Sequence, residues 1–132
     1  MGVEVGSPGG VMYKSGNVTL MVADMDRAVE FYTAKLGLEL KVRYGSEWAE
    51  VAAPGITLGL HQARGPIARS DPNIGISIGL EVDNIEATIE ELKGKGVAFP
   101  LSIRETNDLR QASFTDPDGT SLYLAEIKPQ QR

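Results

Sequence analysis

The 132-residue chain contains no cysteine. Disulfides, thiolate nucleophiles and cysteine-ligated zinc or iron–sulfur sites are therefore excluded. Histidine occurs once, at His61, and tryptophan once, at Trp48. Basic residues are the minority, 13 Lys and Arg against 18 Asp and Glu, for a formal net charge of −5. A phosphate backbone is bound through a basic face, so no nucleic-acid partner is expected. No run approaches the roughly 20 apolar residues of a membrane helix, so no membrane partner is expected either. Residues 1–16 lack a basic start followed by an apolar run. No secretory leader is expected there, and the cytoplasm is the expected location. No Walker-type phosphate loop is present, and no cofactor is expected.

What the chain does have is enough apolar material, 42% of residues, for a real core. Its length fits one domain or two small halves sharing that core. Val18, Leu20 and Val22 alternate with Asn17, Thr19 and Met21, which is strand periodicity. Asp24 then offers a helix cap, and Met25, Ala28, Val29, Tyr32 and Leu36 recur at helical spacing up to Gly37. Strand-like runs follow at 38–44, 47–53 and 56–62. The second half repeats the order. Ile76, Ile78, Leu80 and Val82 alternate, and Asn84 is the cap. Ile85, Ile89 and Leu92 form the helical stripe, and Gly96 ends it. Strands are expected at 97–104, 109–115 and 120–127, with Asp116-Pro117-Asp118-Gly119 as the last turn.

Because caps, stripes and terminators recur in register, an internal duplication explains the length best. The expected fold is α+β: two tandem βαβββ modules forming curved mixed sheets around a cleft, with helices on the outer face. Module 1 is expected over 17–62, a Gly-, Pro- and Ser-rich linker over 63–74 and module 2 over 75–127. A flexible lead-in over 1–16 and a tail over 128–132 complete the chain.

The stretch Val22-Ala23-Asp24-Met25-Asp26-Arg27-Ala28-Val29-Glu30-Phe31-Tyr32, with Lys35-Leu36-Gly37-Leu38, resembles the opening of the glyoxalase/bleomycin-resistance/extradiol-dioxygenase (vicinal oxygen chelate) superfamily. Asp116-Pro117-Asp118-Gly119 resembles its second hallmark. The resemblance implies a homodimer, with cavities built from both chains or between the two halves of each chain. It also implies four metal-ligand positions, which fall here on Asn17, Gly59, Ser77 and Tyr123. None of these is a good ligand for a divalent ion, and glycine offers no side chain at all. Glyoxalase-type isomerisation and ring-cleaving dioxygenation are thus not expected, and no metal site is assigned. The chain looks more like the metal-free branch that sequesters a ligand, possibly aromatic or antibiotic-like, in the same cleft.

On that reading Asn17, Trp48, Gly59, His61, Ser77 and Tyr123 line the cleft and bind a small organic molecule without chemistry. Trp48 would stack on a planar ligand, or equally serve as a core or interface aromatic. Two alternatives stay open. One is a metal-independent isomerase or lyase with His61 as base and Tyr123 as acid. The other is a metalloenzyme, a lyase or dioxygenase with shifted ligands, His61 with Glu50 or Glu81. Gly75-Ile76-Ser77-Ile78-Gly79 matches the serine-hydrolase pattern, but Ser77 sits inside an alternating strand and not at a strand-to-helix turn. Phe31 and Tyr32 read as core, and Arg110 as a solvated rim charge.

Overall fold

The computed structural model describes residues 12–67 and 75–129. The expected lead-in before residue 12, most of the linker and the end of the tail lie outside the described residues. The order of elements is β1 (Val18–Val22), α1 (Met25–Glu30) running into a π-helical segment (Phe31–Lys35), β2 (Glu39–Tyr44), β3 (Trp48–Ala53) and β4 (Ile56–Gln62). Then come β5 (Ser77–Glu81), α2 (Ile85–Gly94), β6 (Arg104–Glu105), β7 (Leu109–Thr115) and β8 (Ser121–Ile127). Each half forms one four-stranded mixed sheet, ordered β1-β4-β3-β2 and β5-β8-β7-β6. The first and last strands of each module pair in parallel, and the other neighbours pair antiparallel.

The caps act as the sequence implies. The Asp24 carboxylate accepts from the Arg27 N–H (3.1 Å), and the Asn84 side chain accepts from the Ala87 N–H (3.0 Å). Gly37 and Gly96 end the helices with φ of 81° and 92°, where a β-carbon would be strained. Gly37 follows its cap by 13 positions and Gly96 follows its cap by 12. The extra residue of module 1 is absorbed in the π-helical segment, where the Leu36 N–H reaches the Phe31 carbonyl (3.0 Å). Beyond it the modules fall back into register. Leu38 donates to the Tyr32 carbonyl as Val97 donates to that of Leu92.

The strand expected over 97–104 is present only as Arg104–Glu105. Pro100 has no N–H to offer a ladder. Val97 turns instead into the core, and the Phe99 ring packs against Phe114 with centroids 5.1 Å apart.

Buried side chains of both modules form one continuous cluster. Each helix covers one face of its own sheet, and those covered faces share this core. Tyr32, fully buried, ties the halves together: its hydroxyl donates to Asp116 Oδ2 (2.8 Å) across 84 residues of chain. The hydroxyl proton is held well above the usual tyrosine range, first by burial and then by the Asp116 carboxylate. The folded chain thus keeps a proton that the unfolded chain releases near pH 10. The stability linked to it is intact below about pH 10 and falls above it, by up to about 1.4 kcal/mol per pH unit. Urea unfolding between roughly pH 10 and 11.5 reads this slope, which should be shallower by about that amount in Tyr32→Phe. Equal slopes in the two proteins would contradict it.

Arg110 is not an isolated rim charge. Its guanidinium faces Glu86 (2.8 Å), Glu105 (3.7 Å) and Glu126 (3.9 Å). Glu126 in turn accepts from the first helical N–H of α2, that of Ile85 (2.8 Å). The cluster fastens α2 to its sheet, and the Arg110 charge is spent inside it.

Candidate functional site

The second face of each sheet is left uncovered. In module 1 the strand register places Thr19 beside Gly59, Met21 beside His61, Trp48 beside His61 and Glu50 beside Gly59. Ala49 and Val51, alternating with these, are wholly buried on the helix side. Trp48 therefore projects from the open face, as its alternation with Ala49 and Val51 implies. Met21 and Tyr44 remain 43% and 67% exposed in the single chain.

Gly59 explains how Trp48 lies. The six-membered ring of Trp48 occupies the space that a β-carbon at Gly59 would need. The indole N–H donates to Glu50 Oε2 (3.1 Å), which fixes the ring across the sheet. His61 meets it edge-on, with centroids 6.2 Å apart. His61 Nδ1 stands 2.9 Å from the Gln62 carbonyl. A carbonyl only accepts, so this nitrogen carries a proton, and in the neutral ring Nε2 is the acceptor.

Module 2 repeats the device with different residues. Tyr123 on β8 pairs with Gly79 on β5, and its phenol end fills the space of a β-carbon at Gly79. Ser77, next to Ser121 in the register, places its Oγ 3.1 Å from Ser121 Oγ. Asn17, just ahead of β1, is exposed and accepts from the Thr19 hydroxyl (2.8 Å). Gly79 shares this open face with Ser77, although it is not among the six residues expected to bind. Its place on the open face follows from its alternation with Ile78 and Leu80.

The six residues expected to line a cleft thus fall into two groups. Asn17, Trp48, Gly59 and His61 belong to the first sheet, Ser77 and Tyr123 to the second. Among the described residues no hydrogen bond or ring contact joins the groups, and His61 and Tyr123 do not meet. Neither do the residues at the four family metal positions fit a divalent ion, because amide, hydroxyl, phenol and bare glycine supply no carboxylate or imidazole. Glu50, two residues from Trp48 on the same face, is committed to the Trp48 indole, and Glu81 lies on the other sheet. Among the described residues no three His, Asp or Glu side chains group as metal ligands. No described helix is long and apolar enough to cross a membrane.

Comparison with known proteins follows the same lines. A family model, the glyoxalase/bleomycin resistance protein/dioxygenase superfamily, matches residues 14–124. The Bacillus subtilis (strain 168) protein YetH is 30% identical over 118 residues, covering 84% of this chain and 96% of that protein. Among solved structures, UcmS2 superimposes with a TM-score of 0.68 at 28% identity, covering 87% of this chain and 98% of its own. TnmS3, an antibiotic binding protein from Streptomyces sp. CB03234, gives 0.65 at 26% identity, covering 89% and 100%. The chain belongs to the glyoxalase/bleomycin resistance protein/dioxygenase superfamily.

Proposed function

We propose that the protein binds a small, planar, antibiotic-like aromatic molecule on these open faces and uses no metal to do so. The observation that carries this reading is the pair of aromatics folded across glycines, Trp48 over Gly59 and Tyr123 over Gly79. Each gives its open sheet face an aromatic floor, and a planar ligand gains most from such a surface. Asn17, His61 and Ser77 add polar groups that fix orientation. The likeness to TnmS3, an antibiotic binding protein, supports the same class of ligand.

A floor needs a roof. In one chain the two floors look away from the shared core, so we propose that a second copy closes each of them. The exposed Met21, Tyr44 and Ile127 would be covered in such a homodimer. His61 keeps Nε2 as an acceptor, which favours a second reading. That reading is a metal-independent isomerase or lyase whose Tyr123 acid comes from the partner copy.

The test is a fluorescence titration of Trp48 with a panel of planar aromatic antibiotics. Saturable quenching is expected for at least one member. Replacing Tyr123 by Ala should weaken that binding about ten-fold, the loss of roughly one aromatic contact. A panel that leaves Trp48 fluorescence unchanged would remove the reading.

A further inference from the structure

The two modules are repeats, yet the contacts they make with each other differ. The Tyr32 ring and hydroxyl fill the junction of α1 with the β7–β8 turn, and Arg27 adds a contact to Asp118 (3.4 Å). The helix-end hydrogen bonds make Leu92 the equivalent of Tyr32. Strand pairing makes Ala53 the equivalent of Asp116, since Ala53 faces Ile56 across its turn as Asp116 faces Thr120. Counting from the caps makes Ala87 the equivalent of Arg27. The β3–β4 turn, Pro54-Gly55, is also one residue shorter than Pro117-Asp118-Gly119. Every group that fills the first junction is smaller or missing at the second.

The result is a cleft of about 730 Å³ between α2, β5 and the β3–β4 turn, lined by Leu92 and Ala53 themselves. Leu36, Leu38, Ile56, Leu80 and Leu124 supply most of its apolar wall. Its polar side chains are Thr88, Glu81 and Asp83, and among the described residues no lysine, arginine or histidine lines it. The carboxylates stand where β5 gives way to α2. Lys35 Nζ lies beyond the other end of α2, beside Gly96. Gly79 borders this cleft through its backbone, but the side chains of Trp48, His61 and Tyr123 do not.

We propose that this junction is a second ligand site, separate from the Trp48 and Tyr123 rings, which takes an apolar molecule carrying one cationic group. The leucines receive the apolar body. Asp83 and Glu81 receive the cation, which has no competing positive charge at that end.

The probes are 4-phenylbutylamine, the alcohol 4-phenylbutan-1-ol and the carboxylate 4-phenylbutyrate, added to the full chain. Methyl resonances of Leu36, Leu80, Leu92 and Leu124 report the cleft. The amine is expected to shift them saturably and to bind about ten-fold more tightly than the carboxylate. The double variant Glu81→Gln, Asp83→Asn should abolish that preference while alcohol binding stays the same. Leu92→Tyr, which restores the ring found at the other junction, should weaken the amine about ten-fold. Thr88→Leu fills the same space and serves if Leu92→Tyr does not fold. Trp48→Ala should leave amine binding unchanged. Shifts centred on Trp48 or Tyr123, or no saturable shift, would overturn the proposal.

Discussion

Replacing Asp116 by Ala lowers the stability of the fold by about 3 kcal/mol, because one buried and two part-buried donors lose their acceptor together. Asp116 is 5% exposed. Its Oδ1 accepts from the N–H groups of Asp118 (2.9 Å) and Thr120 (2.8 Å), and its Oδ2 from the Tyr32 hydroxyl (2.8 Å). The first two bonds shape the β7–β8 turn, and the third fastens that turn to the helix of module 1. The shaped turn then presents Asp118 Oδ1 to the Ala23 N–H (3.1 Å). One truncation therefore loosens a turn and an inter-module contact at once. Tyr32→Phe removes a single bond and leaves the turn intact, so its cost is smaller, about 1–2 kcal/mol. Urea unfolding at neutral pH measures both. A loss below about 1 kcal/mol for Asp116→Ala would mean that the turn is held by something else.

The second large effect falls on binding. Gly59→Val should weaken the planar aromatic ligand by about 100-fold, close to 2.7 kcal/mol. The backbone at Gly59 tolerates a side chain, since its φ is not positive. The obstacle is the Trp48 ring, which already occupies the position of the β-carbon. A branched side chain there must push the indole off the sheet and break its bond to Glu50. The floor is lost while the helix-side packing of Leu58 and Leu60 stays in place, so the fold should lose only about 1–2 kcal/mol. Gly79→Ala applies the same argument to Tyr123. Isothermal titration with the best ligand of the panel reads the affinity. An unchanged affinity in folded Gly59→Val would show that Trp48 is not part of the site.

Much of this was legible in the chain because the repeat states it twice. Asp24 and Asn84, Gly37 and Gly96, and the alternation of Val18–Val22 with that of Ile78–Val82 each place an element by local chemistry. The face of Trp48 followed from Ala49 and Val51. The unequal cap-to-glycine spacings were also in view, and they foreshadow the π-helical segment. Long-range partners were not legible. Nothing near Tyr32 in sequence announces Asp116, and Arg110 gives no sign of the three carboxylates around it. The strand expected over 97–104 looked plausible because Val97 and Phe99 alternate. Their alternation serves core packing, and Pro100 interrupts any ladder. Which of the two cavity arrangements applies was not legible either, because the expected lining residues stand on two sheets of one chain.

The most direct test of metal-free binding is the Trp48 titration run on three samples of the full chain: stripped with a chelator, incubated with zinc, and incubated with iron(II). The same ligand should quench all three with the same affinity, and Gly59→Val should weaken binding about 100-fold in each. Quenching confined to a metal-loaded sample, with metal retention lost in His61→Ala, would contradict the account and return the protein to the metal-dependent chemistry of its superfamily.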